Sequence, residues 1–283
     1  MQILESKVES WLQNNTIDHI ARCARVCYAS DNNKNNTKMC DALWKNNHRS
    51  MFRHAGVYYI IPEKLQVPNE AYIGATVKLV EYKRYVSANE QSAREYWDKR
   101  YSKYRISISE AEQNEIFRKY KLLRYTLCIE TGIDITREFN RKSPNNIAEQ
   151  STRYVDFNKK LGIRFKQCHW MYNMSIWEYC LTRIMLKTCE WFYKIARSKY
   201  GLNLPPQDAR FILPLDTMSK VVYTYTVAEW EYIVNMRLWD WTGKAHPDAK
   251  IIGQLIYDEL VKLGYTPVNY TKNEFKCTFI QRF

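Results

Sequence analysis

No Cys-x-x-Cys pair occurs in this 283-residue chain, although eight cysteines are scattered at positions 23, 27, 40, 128, 168, 180, 189 and 277. Zinc-ligand spacing is therefore missing, and at this size no disulfide framework is expected; the thiols read as reduced and mostly buried. No apolar run approaches the roughly 18 residues that a membrane span needs. The start, MQILESKVESW, carries charges where a signal peptide needs an apolar stretch. Both observations point to the cytoplasm. There is also no Arg/Gly-rich tail and no lysine run. What is present is dispersed positive charge: Lys+Arg 43 against Asp+Glu 30, a net +13. Such a field favours polyanions or phosphorylated small molecules without choosing between them. With 22 Tyr, 9 Trp and 10 Phe, the profile also suits a single-strand nucleic-acid binder, which stays the second choice. The length allows one large domain or two small ones with a real core.

Taken in order, residues 5–29 show apolar positions at helical spacing (Val8, Trp11, Leu12, then Ile17, Ile20, Ala24), which predicts two helices, the second starting at Thr16 or Asp18. DNNKNNT at 31–37 is a polar loop, MCDALWKNN a short helix, and AGVYYIIP a strand. Residues 63–131 hold a β-prone run (TVKLVEYKRYV), a Tyr/Arg-rich helical section (QSAREYWDKRYSKYR), a polar helix near 109–120 and a strand (LLRYTLCIET). A strand is expected within VDFNKKLGIRFKQCHW, and residues 173–200 form the clearest amphipathic helix, with Gly201 at its C′ position. That helix reads as core or subunit interface. Pro247 suits the first turn of a last helix and Gly264 its end.

The most informative stretch is GIDITREFNRKSPNNIAEQSTRY, 132–154. Pro144 has no N–H, and Asn145 and Asn146 favour turns, so a short helix, a turn and a second arm are expected. The fold-back brings Arg137, Glu138, Arg141 and Lys142 near Glu149, Ser151 and Arg153, a set suited to a phosphorylated ligand.

This stretch resembles the signature of the flavin-dependent thymidylate synthases, Arg-His-Arg, seven residues, Ser-x-Arg-Tyr. Here it reads Arg141-Lys142-Ser143, PNNIAEQ, Ser151-Thr152-Arg153-Tyr154, so two members of the triplet differ. Two further segments are similar to that family: His48-Arg49-Ser50-Met51-Phe52-Arg53-His54, where Arg53 replaces a usual Glu, and PPQDARFILPLDTMSKVVYTYTVAEW, leading to Arg237 and Ala245-His246-Pro247. SANEQSAR at 87–94 mimics the signature but lacks its Gly-Ile…Glu-x-x-Arg lead-in, and is set aside. The insertion at about 63–131 resembles those of phage- or Bacteroides-type members.

The resemblance implies one domain over 1–283 with an α/β (α+β) fold, helices packed on a curved, mixed or antiparallel sheet. It implies reductive methylation of dUMP to dTMP, with methylenetetrahydrofolate as carbon donor and NADPH-reduced FAD as hydride source. Arg237, Ser151 and Glu149 take the catalytic roles; Glu138, Ser151, Thr152, Arg153, Arg210 and Arg237 hold dUMP; Ser30, His48, Ser50, Arg53, Arg141, Lys142, Ser143 and Glu149 face FAD. It further implies a homotetramer with shared active sites, in a host cytoplasm if the chain is phage-encoded. No metal is expected, because His48 and His54 lack a third ligand at a supporting spacing. Thr226 and Ala228 stand where the family often has Asn and Arg for flavin contacts. Two alternatives remain: transfer of another one-carbon unit, such as hydroxymethyl, to a pyrimidine deoxynucleotide, or a degenerate nucleotide- or nucleic-acid-binding member without flavin.

Overall fold

A computed structural model describes residues 1–30, 35–141, 146–158 and 162–270. Strands β1 (Gln2–Leu4) and β2 (Lys7–Trp11) precede α1 (Thr16–Val26) and α2 (Asn36–Lys45); a 3₁₀ turn, Arg49–His54, leads into β3 (Gly56–Pro62). β4 (Ala75–Val80) and β5 (Lys83–Asn89) form a hairpin, followed by α3 (Glu90–Ser92), a π-type turn (Ala93–Trp97), α4 (Asp98–Tyr101), β6 (Arg105–Ile106), α5 (Ile108–Gln113) and α6 (Glu115–Lys119). Then come β7 (Arg124–Gly132), α7 (Ile133–Phe139), β8 (Ile147–Glu149), β9 (Arg164–Lys166), α8 (Ile176–Arg197), α9 (Pro206–Ala209), β10 (Met218–Thr226), α10 (Val227–Arg237) and α11 (Pro247–Lys262).

The fold class is mixed α/β with antiparallel sheets. Two four-stranded sheets, β2-β7-β10-β8 and β4-β5-β3-β6, are accompanied by the parallel pair β1-β9. β7 and β10 run antiparallel over nine residues, Met218 opposite Gly132 through Thr226 opposite Arg124. On one face of this central pair, Leu127, Ile129, Val221, Tyr223 and Tyr225 pack against Trp230, Ile233 and Val234 of α10 and Ile252, Ile256 and Leu260 of α11. Trp230 is fully buried, and its indole N–H donates to Tyr125 O at 2.9 Å, so the large ring buries no unpaired donor. Arg124 ties the two sheets together. It is almost fully buried and donates to Ser87 Oγ (3.1 Å) and Ser87 O (3.2 Å) on β5, while its backbone N–H donates to Tyr58 OH (2.9 Å) on β3.

Two local expectations need correcting. Residues 7–11 form a strand, not a helix: they pair with β7, and Val8 and Trp11, three apart, fall on opposite faces of the sheet in separate apolar clusters. The following helix is capped by Asn15, whose side chain accepts from Ile17 N and Asp18 N. Gly201 is also no left-handed cap. The long helix stops at Arg197, and Leu202 N donates back to Ile195 O. A Cβ on Gly201 would lie 2.1 Å from Ile195 O, so glycine is required there for close approach.

A buried polar chain crosses the central sheet. His19 Nε2 lies 2.7 Å from Thr126 Oγ1, which lies 2.6 Å from Thr224 Oγ1, which lies 3.0 Å from His54 Nδ1. Burial, aided by Arg22, lowers the His19 pKa to about 4; burial, aided by His19 and Arg53, lowers His54 to about 3. The unfolded chain protonates these rings near the ordinary 6.5, so their contribution is complete above that pH and is lost as pH falls towards 4 and then 3. At 1.36 kcal/mol per pH unit, we expect a loss on the order of 3 kcal/mol for each ring between pH 7 and pH 4. Urea unfolding across that range checks it. If a His19→Gln variant shows an undiminished acid slope, the histidines are not the cause.

Candidate functional site

The three family-like segments converge. Cys27, just before Tyr28-Ala29-Ser30, and Met51, in the 3₁₀ turn carrying Ser50 and Arg53, share one apolar cluster with Ala148 of β8, Cys23 and Val222. Ser151 N donates to Cys27 O at 2.9 Å, fastening the signature arm to the end of α1. Ser151 Oγ accepts the Arg153 N–H at 3.2 Å and closes a turn. His48 and Ser50 are exposed, and their side chains make no hydrogen bond among the described residues. Arg53 is more committed, its Nε donating to Gln91 Oε1 at 2.8 Å. Glu149 is half-buried and forms no ion pair among the described residues. Lys142 and Ser143 lie outside the described residues.

The residues expected to hold dUMP fall into two groups. In the first, Glu138 on α7 pairs with Arg141 (3.2 Å) and with Arg237 at the end of α10 (3.2 Å). Arg237 is 9% exposed; it also donates through Nη2 to Glu138 O and lies over the Phe139 ring. Burial, assisted by the charge on Arg141, lowers its pKa, and Glu138 opposes the change. Its Nε is buried without an acceptor among the described residues. A charged donor held out of water with one N–H unspent is costly unless something accepts from it, so this position fits an anionic or oxyanionic ligand. In the second group, Arg210 donates to Thr152 Oγ1 at 3.1 Å, and the Arg153 guanidinium stands over the Tyr154 ring, which meets Tyr28 at 5.4 Å. Both arginines are exposed. Among the described residues, no hydrogen bond or ion pair joins the two groups.

Some of the site went unread in the sequence. Tyr28 and Tyr154 form an exposed aromatic platform, and Gln150, almost fully buried, has an Nε2 without a partner among the described residues. Tyr223 of β10 donates to Asn140 Oδ1 at 2.7 Å and fixes the end of α7 beside Arg141. Gln150 could have been suspected from its place inside the signature; the others depend on tertiary pairing. The mimic at 87–94, by contrast, is spent internally. Asn89 Oδ1 caps Ser92 N (2.9 Å), and Glu90 pairs with Arg94 (2.7 Å) and Arg105 (3.1 Å). Among the described residues, no buried thiol is activated either. Burial raises Cys23 and Cys27, and lifts Cys128 and Cys168 to about 12.

These features describe an α/β protein that carries two arginine-bearing side-chain groups. The chain belongs to the thymidylate synthase complementing protein family, whose sequence profile matches residues 118–264. That span holds the signature, Arg210 and Arg237. No curated protein matches the chain. Among solved structures, it is similar to a UMP/dUMP methylase, PolB, from Streptomyces cacaoi, bound with 5-Br dUMP (12% identity, TM-score 0.44, 93% of each chain). The same methylase bound with 5-Br UMP gives 13% identity and TM-score 0.45 over 98% of this chain and 97% of that one. Thymidylate Synthase X from Helicobacter pylori with FAD and dUMP gives 13% identity and TM-score 0.37 over 51% and 72%. Likeness this distant says nothing of activity here. Among the described residues, no helix is long and apolar enough to cross a membrane.

Proposed function

We propose that the protein is a flavin-dependent thymidylate synthase, methylating dUMP at C5 with methylenetetrahydrofolate as carbon donor and NADPH as the source of reducing equivalents. The observation that carries this reading is Arg237, a guanidinium held by Glu138 at 3.2 Å with a buried, unspent Nε. For C5 to become nucleophilic, electron density must build on the uracil oxygens as in an enolate, and a fixed buried cation stabilises that charge as it develops. Ser151, Thr152, Arg153 and Arg210 supply hydroxyl and guanidinium donors for the substrate phosphate, and Glu138 orients Arg237 and Arg141. FAD, when bound, supplies hydride. The residues that would hold it are Ser30, His48, Ser50, Arg53, Arg141, Lys142, Ser143 and Glu149; the open hydroxyl and imidazole at Ser50 and His48 and the orphaned Gln150 amide suit a large polar cofactor. Glu149 orients an arginine or the flavin edge. The Tyr28–Tyr154 platform offers a stacking face for a ring.

The visible absorption spectrum of the protein with added FAD and dUMP, followed by the mass of the pyrimidine product, tests the proposal. Flavin bands perturbed by the protein and a product heavier by one methylene support it. A hydroxymethyl product indicates the alternative one-carbon transfer, and a protein that ignores FAD even with dUMP present overturns the assignment.

The separation of the two substrate-facing groups suits a homotetramer in which each site draws on more than one subunit. The outer face of α8 supports such an assembly: Ile176 (85% exposed), Trp177, Ile184, Met185, Trp191 and Phe192 leave a large apolar stripe uncovered. We expect Ile184→Glu with Met185→Glu to convert a tetramer to smaller species in light scattering and to abolish dUMP turnover. An active variant of unchanged mass would refute the shared-site reading.

A further inference from the structure

Away from the arginine-rich site, His169 meets His246 and Asp248, the latter 79 residues further on, at the start of α11. His246 is the N-cap of that helix, and its Nδ1 accepts the Asp248 N–H at 3.2 Å. His169 opens the 3₁₀ turn His169–Asn173; its backbone N–H donates to Asp248 Oδ1 at 2.7 Å, and its ring Nδ1 lies 3.0 Å from the same oxygen. The two imidazoles pack edge to face with centroids 5.4 Å apart. One ligand atom from each of the three residues lies within 4.8 Å of the other two. We propose that His169, His246 and Asp248 form a binding site for a divalent transition-metal ion, with Zn²⁺ the best match.

Four observations support this. The first is geometric. Tetrahedral zinc with bonds of 2.0–2.2 Å places its ligands about 3.4 Å apart. The His169–Asp248 separation of 3.0 Å is already close to that. The ion takes the place of the proton between these two groups, and rotation of the exposed His246 ring brings a nitrogen to it.

The second is charge. Lys166, 1% exposed at its side chain, is ringed by Asp248 (2.6 Å), Asp134 (2.7 Å) and Asp216 (3.7 Å), so one cation meets three carboxylates. That net deficit of two positive charges, in a chain that is otherwise strongly basic, is what a divalent ion removes. The third is the outer shell. Lys166 binds Asp248 Oδ2 and leaves Oδ1 facing His169, which holds the carboxylate in a ligating orientation. The fourth is access. His246 is exposed and His169 only partly buried, so water can reach the position as fourth ligand. Imidazole nitrogens with one carboxylate suit zinc-like ions better than magnesium or calcium, which take oxygen ligands.

The test uses the untagged full chain, stripped with chelator and dialysed. Zn²⁺ is titrated by calorimetry, and Co²⁺ is followed by its visible ligand-field bands. We expect one ion per chain, four- or five-coordinate cobalt bands, and a rise in Tm on adding Zn²⁺. In His246→Ala and His169→Ala, whose folding without metal is checked by circular dichroism, affinity should fall by more than the roughly 10–100-fold that loss of an outer-shell partner costs. Absence of saturable binding, or equally tight binding in both variants, overturns the proposal.

Discussion

Replacing Arg237 with alanine should lower dUMP turnover by about 10²–10³-fold, the cost typical of removing one oxyanion-hole donor, while weakening dUMP binding by less than about tenfold. The asymmetry follows from how the guanidinium is spent. Nη1 is engaged by the Glu138 carboxylate and Nη2 by the Glu138 carbonyl, which fix the plane of the group; Nε is buried with no acceptor among the described residues. A donor fixed in place costs no reorganisation when charge appears on a substrate oxygen, so its value is greatest in the transition state. The ground-state pyrimidine has less negative oxygens and gains less. Glu138 keeps Arg141 as a partner in the variant, so no isolated buried carboxylate confuses the result. Arg237→Lys retains charge but loses the planar fork, and should fall between wild type and alanine. Single-turnover kinetics with dUMP calorimetry separate the two effects. Equal losses in turnover and binding would mean that Arg237 merely holds substrate, and the reading of this residue would fail.

How much of this was legible beforehand depends on whether the determining interaction is local. The β3 strand, the β10–α10 segment and the long α8 helix follow from runs with their own period and caps, such as the Ser175–Glu178 capping box. The signature was legible because Glu138 and Arg141 are three apart on one helix, and Ser151 through Tyr154 are consecutive. Family likeness assigned Arg237, Glu138, Arg210 and Thr152 to one substrate site, but the pairing of Arg237 with Glu138 and of Arg210 with Thr152 is seen only in the structure. What escaped is what tertiary pairing decides. KVESW becomes a strand because β7 offers an edge. The second sheet exists because β3 pairs with β5 and β6, where one curved sheet was expected. His169, His246 and Asp248 show no recognisable ligand spacing; a β9–3₁₀ connection and the cap of α11 bring them together.

The largest stability effect expected is at Lys166, where methionine should destabilise the fold by about 3–5 kcal/mol, a fall in Tm on the order of 10 °C for a chain of this size. Lys166 leaves β9 and ends among carboxylates from three other places: Asp134 in the first turn of α7, Asp216 before β10 and Asp248 in the first turn of α11. Burial alone would lower its pKa, but hydrogen bonds to Asp134 and Asp248 raise it, so the ammonium stays charged at neutral pH. Burial would correspondingly raise Asp248, yet Lys166 and the His169 N–H hold it low. Methionine fills most of the space but leaves Asp248, 4% exposed, without its cation. The penalty is thus the desolvation of a stranded carboxylate more than the lost attraction itself. That distinction can be measured: adding Asp248→Asn to Lys166→Met should recover part of the loss, because the stranded charge is gone. Urea unfolding of wild type, single and double variants in chelator gives the comparison. A double variant less stable than Lys166→Met by the full cost of Asp248→Asn alone would show independent contributions, and the buried cation would then be no organising centre for α7, β9 and α11.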